Sequence, residues 1–112
     1  VLEPYQLNCL SELIKGPYSI SEPSKKNKKP YRKNIDLILI PGIVFDRKGN
    51  RIGYGQGFYD KFLQNMNESI KIGITYDFQI IKQIKENYYD VSMDFIVSEE
   101  EITDCKKLRD IY

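Results

Sequence analysis

The sequence predicts an α/β fold with an open, largely parallel sheet and flanking helices. Apolar segments of strand length, rich in isoleucine, recur along the chain. Between them lie segments whose apolar residues recur at helical spacing. A glycine-rich loop, residues 53–57, joins one strand-like segment to one helix-like segment. Strands that alternate with helices are typical of a sheet whose strands run parallel.

The N-terminal third is the least regular part of the chain. Residues 2–15 have a weak helical spacing of leucines, which Gly16-Pro17 ends. Residues 19–23 are predicted to be extended, because the residue before a proline avoids the helical region. Residues 25–33 hold six basic side chains and are interpreted as a solvated loop; the alternative is a lid or an anion-attracting rim.

The first clear strand and the first clear helix flank the glycine loop. Residues 35–40 are apolar apart from Asp36, which predicts a central strand covered on both faces. Gly49-Asn50 indicates a turn between this strand and the loop. Residues 58–66 follow the loop with apolar side chains at helical spacing. A core-facing helix is therefore expected there, with these apolar residues on its buried face: Phe58, Phe62, Leu63 and Met66.

The second half of the chain continues the alternation. Residues 70–75 alternate isoleucine with other residues and predict a second strand. The next segment predicts an amphipathic helix, because its isoleucines recur at positions 80, 81 and 84. Residues 95–97 predict a short third strand. Thr103 is expected to cap a final short helix that ends near Leu108.

Length and charge limit the class of protein. A chain of 112 residues predicts one domain over residues 1–112. Seventeen basic and 16 acidic side chains give a net charge of +1, which provides no general attraction to nucleic acid or anionic membranes. Neither an apolar run long enough to span a membrane nor a signal-peptide pattern is visible. A cytoplasmic protein without nucleic-acid or membrane partners is expected.

The cysteine and histidine content argues against two kinds of functional site. Cys9 and Cys105 lie far apart in the sequence, and the chain contains no histidine. This disfavours a zinc site and acid–base catalysis by histidine. The two cysteines are interpreted as thiols without a catalytic role in a reducing compartment.

The glycine loop predicts a site for phosphate groups. Glycines allow backbone N–H groups to approach an anion closely, and the start of a helix adds free N–H donors. Arg51 precedes the loop, and its guanidinium can hold phosphate oxygens with two hydrogen bonds. Asp60 lies in the first helical turn, where a carboxylate can hold Mg²⁺ beside phosphates. Asp94, which precedes the third strand, is the second candidate carboxylate.

The glycine pattern has a simpler explanation as well. It lacks the Gly-Lys-Ser/Thr ending of the P-loop, and its third glycine comes one residue early for the dinucleotide-binding fingerprint. Such a loop can be merely a flexible turn. Asp60 can likewise be explained by the preference of acidic residues for helix N-termini.

The segment around the loop resembles the 5-formyltetrahydrofolate cyclo-ligase (5,10-methenyltetrahydrofolate synthetase) family. The central matches are Pro41-Gly42, Phe45-Asp46, Gly49-Asn50-Arg51 and the glycine loop through Asp60. Weaker matches flank them: residues 19–23, Ile72-Gly73-Ile74, Gln79, Tyr89-Asp90, Asp94 and residues 96–99. The family extends further on the N-terminal side. The resemblance therefore implies a Rossmann-like, three-layer fold of which this chain is the C-terminal portion.

The resemblance also implies a reaction and a set of site residues. Family members use ATP and Mg²⁺ to convert 5-formyltetrahydrofolate into 5,10-methenyltetrahydrofolate, a step of one-carbon metabolism. By resemblance, Asp60 and Asp94 hold the metal, and Arg51 and Tyr59 are catalytic. The predicted ATP-binding residues are Arg51, Ile52, Gly53, Tyr54, Gly55, Gln56, Gly57, Phe58 and Tyr59. The predicted folate-binding residues are Tyr54, Gly55, Gln56, Gly57 and Phe58, where Phe58 replaces the family's usual tyrosine.

Two other functions stay open at this point. The chain can be a binding module that keeps the nucleotide loop but lacks catalysis, since the family's N-terminal residues are not in it. It can also be another sugar-phosphate enzyme with the same architecture, because a fold hosts many activities. In each case the expected partners are small molecules and the expected state is a monomer.

Overall fold

The computed structural model describes residues 2–26, 28–53, 57–85 and 91–111. The chain divides into two compact units, residues 1–33 and residues 34–112, which are described separately. In the described ranges, no helix is both long enough and apolar enough to cross a membrane.

The first unit is built on a short hairpin. Strand β1 (Leu13–Lys15) pairs antiparallel with strand β2 (Ser21–Pro23). A 3₁₀ turn at Leu10–Glu12 precedes the hairpin, and a second one at Pro17–Ser19 connects its strands. The extended segment expected over residues 19–23 is confirmed for Ser21–Pro23, whereas Ser19 belongs to the 3₁₀ turn and has a positive φ of 59°. The helix expected over residues 2–15 is wrong, because the leucines at its C-terminal end enter the 3₁₀ turn and β1 instead.

The second unit contains seven strands and two helices among the described residues. In chain order they are β3 (Leu37–Ile40), β4 (Val44–Asp46), β5 (Arg51–Ile52), α1 (Phe58–Leu63), β6 (Ile70–Ile74), β7 (Ile80–Ile81), β8 (Phe95–Val97), β9 (Ile102–Asp104) and α2 (Cys105–Ile111). The strands expected over residues 70–75 and 95–97 are confirmed as β6 and β8.

The larger sheet has the strand order β3-β6-β8-β9. Strands β3, β6 and β8 run parallel, and β9 closes the sheet antiparallel to β8. The prediction of a largely parallel sheet is therefore confirmed. The central place expected for residues 35–40 is wrong among the described strands: β6 lies between β3 and β8, and Leu37 and Leu39 on β3 are 46% and 57% exposed.

The smaller sheet has the order β5-β4-β7. Strand β7 lies parallel to β4, with Ile80 opposite Phe45 and Ile81 opposite Asp46. The helix expected around these isoleucines is therefore wrong for residues 80–81. Two adjacent isoleucines fit a strand or a helix equally well by periodicity alone, and pairing with β4 decides the outcome.

The core lies on one face of the larger sheet. Ile40 and Ile96 project from it toward Phe45, which is fully buried on β4. Gly73 on β6 makes room for that ring, since an added Cβ would lie 2.5 Å from Phe45 Cε1. Leu63 from α1, Met93 and Cys105 complete the buried cluster.

Both helices are short. Helix α1 ends at Leu63, three residues before the predicted end, and buries Leu63 while Phe62 packs against the core. Phe58 at its start is 45% exposed, so the expectation that Phe58 belongs to the core is wrong. The final helix is confirmed as α2, which extends to Ile111. Thr103 lies in β9, a strand that the sequence did not predict.

Candidate phosphate-binding site

A tight hairpin between β4 and β5 positions Arg51. The buried Asp46 carboxylate orders its turn: Oδ1 accepts hydrogen bonds from the backbone N–H groups of Lys48 and Asn50, both at 3.0 Å. Asp46 Oδ2 accepts hydrogen bonds from Asn50 Nδ2 and from the backbone N–H of Ile84. Gly49 supplies the positive φ of 93° that the turn requires. The turn thus fixes β5, and with it the Arg51 backbone.

The Arg51 side chain is buried next to a carboxylate. It is only 4% exposed, and its Nη2 lies 3.4 Å from Asp60 Oδ1. Its Nη1 donates to the carbonyl oxygen of Pro41 at 3.3 Å. The guanidinium carbon lies 5.6 Å from the ring centre of Tyr59, which places the cation against an aromatic ring. Arg51 therefore connects β5, the end of β3 and helix α1.

These contacts leave the guanidinium incompletely satisfied. Hydrogen bonds between charged groups are usually about 2.7–2.9 Å long, and the two polar contacts that Arg51 makes with described residues are longer. Arg51 Nε is buried and has no hydrogen-bond partner in the described part of the chain. A buried donor without a partner costs stability. Arg51 Nε can thus donate a hydrogen bond to an anionic oxygen, which a guanidinium whose donors are all engaged cannot do.

Two glycines make room for the Arg51 side chain. A Cβ on Gly42 would lie 2.8 Å from Arg51 Cγ, and a Cβ on Gly53 would lie 2.5 Å from Arg51 Nη1. Both distances are shorter than real Cβ contacts. The need for glycine at these two positions therefore comes partly from packing against Arg51.

Of the predicted glycine loop, Gly53 and Gly57 are described. Gly57 has φ 67° and is the residue before the first turn of α1, a left-handed conformation that favours glycine. No atom of the described residues lies within 4 Å of a Cβ built on Gly57, so the positive φ is the reason found there for glycine. Tyr54, Gly55 and Gln56, predicted to bind ATP and folate, lie outside the described residues. Ile52, a further predicted ATP-binding residue, is 47% exposed on β5.

The two predicted metal ligands have different partners. Asp60 Oδ1 faces Arg51 and also accepts a hydrogen bond from the backbone N–H of Val91 at 3.3 Å. Asp94 Oδ2 accepts from the backbone N–H of Lys71 at 2.8 Å, at the amino ends of β6 and β8. Arg51 instead contacts the chain just beyond the carboxyl end of β3. The joint role of the two carboxylates on a metal stays a prediction.

Protein side chains alone do not form a complete metal site in the described part of the chain. The described residues contain no group of three or more Asp, Glu, Cys or His side chains that could hold a metal ion. Mg²⁺ commonly takes only one or two carboxylates and completes its shell with water and phosphate oxygens. Both contacts of Asp60 use Oδ1 rather than Oδ2. Asp60 therefore fits a metal that arrives with a phosphate group.

Gln79 is a residue of this region to which the sequence assigned no role. Its Nε2 donates to the carbonyl oxygens of Ile43 at 2.9 Å and Gly42 at 3.4 Å. Its Oε1 accepts from the backbone N–H of Tyr76 at 3.1 Å. Gln79 thus ties the chain after β6 to the chain after β3. The sequence signal that could have indicated a role for Gln79 was its match to the family pattern.

The cysteines take no part in this arrangement. Cys9 is exposed in the first unit, and Cys105 is buried at the start of α2. Burial raises the pKa of the Cys105 thiol to about 12, against a partial opposing effect of Arg109. Cys105 is therefore a neutral core residue at physiological pH.

Fold and site together define a class of protein. The second unit is an α/β fold whose ion pair between arginine and aspartate lies beyond the carboxyl end of a parallel strand, where such folds commonly bind ligands. The sequence profile of the 5-formyltetrahydrofolate cyclo-ligase family matches residues 2–99. The chain belongs to this family, which confirms the resemblance seen in its glycine loop.

Individual relatives agree with this membership. The 5-formyltetrahydrofolate cyclo-ligase of Haemophilus influenzae is 41% identical over 61 residues, which are 53% of this chain and 33% of that protein. The enzyme of the same name from Mycoplasma genitalium is 34% identical over 91 residues, 80% of this chain and 54% of that protein. The NMR structure of Aquifex aeolicus 5,10-methenyltetrahydrofolate synthetase has a TM-score of 0.73 and 30% identity, covering 91% of this chain and 52% of that one.

The chain thus spans between a third and somewhat over half of the length of these relatives. The similarity to the Aquifex aeolicus structure confirms the predicted fold class for the part that is present.

Proposed function

We propose that this chain forms the phosphate-binding part of an enzyme that converts 5-formyltetrahydrofolate into 5,10-methenyltetrahydrofolate. ATP is consumed, and ADP and phosphate are released. The observation that supports this most is the buried Arg51 guanidinium beside the glycine loop, with an Nε donor that lacks a partner in the described residues. Membership in the cyclo-ligase family supports the choice of folate as the second substrate.

The reaction mainly requires binding and orientation. The formyl oxygen of the folate is a poor leaving group, and transfer of the terminal phosphoryl group of ATP to it makes it a good one. The neighbouring amine nitrogen then forms the new C–N bond, and phosphate leaves with that oxygen. Phosphoryl transfer depends on alignment and on neutralisation of charge rather than on a protein nucleophile. The absence of histidine from the sequence is compatible with such a mechanism.

Arg51 and Tyr59 have complementary roles in this proposal. We propose that Arg51 Nε donates a hydrogen bond to a phosphate oxygen, while Asp60 and the Pro41 carbonyl hold the other two guanidinium nitrogens. The Tyr59 ring packs against both the guanidinium and the core, so it limits the orientations of Arg51. The backbone N–H groups of Gly53 through Gly57 are proposed to bind the remaining phosphate oxygens.

A Mg²⁺ ion bound with ATP would supply positive charge to balance the charge that develops on the transferred phosphoryl group. Asp60 is the proposed protein ligand nearest to Arg51, and Asp94 is the second proposed ligand. The folate is proposed to border residues 54–58, with the exposed Phe58 ring available for an apolar contact. We further propose that the protein is cytoplasmic and monomeric, with small molecules as its partners.

The binding of phosphate groups can be measured directly on this chain. Arg51→Lys keeps the charge but removes the planar set of donors. We expect the affinity for Mg-ATP and for inorganic triphosphate, measured by calorimetry, to fall at least tenfold, about 1.4 kcal/mol. Arg47→Lys is the matched control, because Arg47 pairs with Glu101 on the surface. Equal affinities of both variants and the wild-type chain, with stability unchanged, would place the phosphate site elsewhere.

A second variant addresses the glycine loop. Gly55→Val adds a branched side chain where close backbone approach to the phosphates is proposed. We expect nucleotide affinity to fall at least tenfold, about 1.4 kcal/mol. Unchanged affinity in a folded variant would mean that the loop does not bind the nucleotide.

A binding module without catalysis is the second candidate. It applies to the 112-residue chain taken by itself, which spans about half of the length of two relatives. The two candidates differ in turnover: formation of the methenyl product, followed by its absorbance with 5-formyltetrahydrofolate and Mg-ATP, supports an enzyme. Nucleotide binding without product formation supports the module.

A further inference from the structure

Two aromatic side chains stand in solvent directly after β6. The rings of Tyr76 and Phe78 are 5.8 Å apart between centroids and nearly parallel, with an interplanar angle of 10°. Tyr76 is 63% exposed and Phe78 is 81% exposed. Exposed apolar surface of this kind is often an interaction site. We name these two side chains the Tyr76–Phe78 surface.

This surface lies at the same edge of the sheet as Arg51. Tyr76 and Phe78 follow the carboxyl end of β6, and Pro41, which accepts a hydrogen bond from Arg51, follows the carboxyl end of the neighbouring parallel strand β3. Gln79 connects the two places through its hydrogen bonds to the Tyr76 N–H and to the Gly42 and Ile43 carbonyls. Ligands of open parallel sheets bind at this edge.

Hydrogen bonds hold the backbone beneath the rings. The N–H of Asp77 donates to Glu99 Oε1 at 2.7 Å, and the N–H of Gln79 donates to the Tyr76 carbonyl at 2.9 Å. The Tyr76 N–H donates to Gln79 Oε1, so the backbone N–H groups of Tyr76, Asp77 and Gln79 all have hydrogen-bond partners. The segment Asp77–Gln79 forms a 3₁₀ turn on these bonds. Its backbone is therefore ordered before any ligand arrives, which lowers the entropy cost of binding.

We propose that the Tyr76–Phe78 surface binds a planar heteroaromatic ring of a substrate by stacking. This rests on the proposed function, in which one substrate carries an adenine ring and the other a pterin ring. Both rings are largely exposed and nearly parallel, and a planar heterocycle can stack on an exposed aromatic ring. The Tyr76–Phe78 surface would orient the aromatic ring of the ligand at the same sheet edge where Arg51 is proposed to bind phosphate.

The experiment separates the ring from the phosphates. Phe78→Leu and Tyr76→Leu remove an aromatic face but keep apolar bulk, and Phe78→Tyr keeps the face. Affinities are measured by calorimetry for ATP, for 5-formyltetrahydrofolate and for inorganic triphosphate, which has no ring. Ile102→Ala is the matched control, because Ile102 is also an exposed apolar residue but lies on β9.

We expect Phe78→Leu to weaken one ring-containing ligand about tenfold, with inorganic triphosphate within twofold of wild type. Phe78→Tyr and Ile102→Ala should leave all three affinities unchanged. Loss for ATP alone assigns the adenine ring, and loss for the folate alone assigns the pterin ring. Circular dichroism and thermal unfolding confirm that each variant is folded.

Two results would overturn the inference. One is that the ring-containing ligands keep their affinity in both leucine variants. The other is that the wild-type chain binds neither of them. Failure of the proposed function gives a different pattern, in which Arg51→Lys leaves triphosphate affinity unchanged. Folate affinity that still depends on Phe78 would then support the surface by itself.

Discussion

Arg51 illustrates how a single residue can be both structural and functional. Its burial requires an anionic partner, which Asp60 provides at the start of α1. Its hydrogen bond to Pro41 ties it to β3. Yet its buried Nε has no hydrogen-bond partner among the described residues. A side chain in this state is stabilised further when an anion binds.

The two proposed metal ligands can be distinguished at the residue scale. We expect Asp60→Asn and Asp94→Asn each to raise the Mg²⁺ concentration needed for half-maximal turnover, because each removes one carboxylate charge. The measurement is a magnesium titration of a full-length protein that contains these residues. An unshifted curve for Asp94→Asn would remove Asp94 from the site.

Stability measurements provide the matching control. Asp60→Asn leaves the buried Arg51 without its carboxylate, so it should destabilise the fold by about 1–3 kcal/mol. Asp94→Asn should cost less, because an amide oxygen still accepts the Lys71 N–H hydrogen bond. The free energy of unfolding in urea gives both values. An effect on stability without an effect on the magnesium titration would mean a purely structural role.

Strand β6 depends on one glycine for its contact with β4. A methyl group at Gly73 would overlap the Phe45 ring, which is fully buried and cannot move into solvent. We expect Gly73→Ala to destabilise the second unit by about 1–3 kcal/mol through overpacking. Urea unfolding of the chain measures the change. If the overlap is the cause, Phe45→Leu should cost less in the Gly73→Ala background than in the wild-type chain.

Helix α2 carries a group that makes stability depend on pH. The pKa of the Cys105 thiol is raised by burial from 9.0 to about 12. An unfolded chain releases this proton near pH 9, whereas the folded chain keeps it. The stabilisation is therefore complete below pH 9 and is lost as the pH rises toward 12. The slope should be about 1.4 kcal/mol per pH unit in that range.

Unfolding free energies between pH 7 and 11 measure this slope, with Cys105→Ala as the comparison. The variant loses core packing at every pH, so only the slopes are compared. Equal slopes would mean that Cys105 titrates normally. Thiol labelling gives an independent check: Cys9 is exposed and should react in the native chain, whereas Cys105 should react only on unfolding.

The chain spans only part of the length of its relatives, and its larger sheet has an exposed apolar face. One face of the larger sheet holds the core, while Leu37, Leu39, Ile70, Ile74 and Ile102 on its strands are exposed. The strand register places these side chains on the same face. Leu37 is opposite Ile70, and Val97 is opposite both Ile74 and Ile102. This is a large apolar surface for an α/β fold whose sheets are usually covered on both faces.

We therefore expect this chain alone to be a poor enzyme. Supplying the remaining part of a relative such as the Mycoplasma genitalium protein, fused or in trans, should restore methenyl formation, followed by absorbance. A bovine albumin control separates complementation from nonspecific protection. Full activity of the 112-residue chain alone would show that its own residues are sufficient for the reaction.

Local sequence signals were enough to predict much of the fold and to select the candidate site residues. The isoleucine-rich strands β6 and β8, the hairpin turn at Gly49 and the start of α1 after the glycine loop all follow from periodicity and turn chemistry. Arg51 and Asp60 were candidate residues because they flank that loop. These features depend on neighbours within a few residues, which a sequence displays directly.

Tertiary structure decided what depends on residues distant in sequence. Ile80-Ile81 became a strand because β4 lies beside them. Phe58 shares a face of α1 with Phe62, but it is the first residue of the helix and remains 45% exposed, whereas Phe62 packs against the core. The pairing of Arg51 with Asp60, its loose contacts and the alignment of Tyr76 with Phe78 likewise arise from packing. A sequence indicates which groups can form such contacts, but only the folded chain fixes their distances and removes them from water.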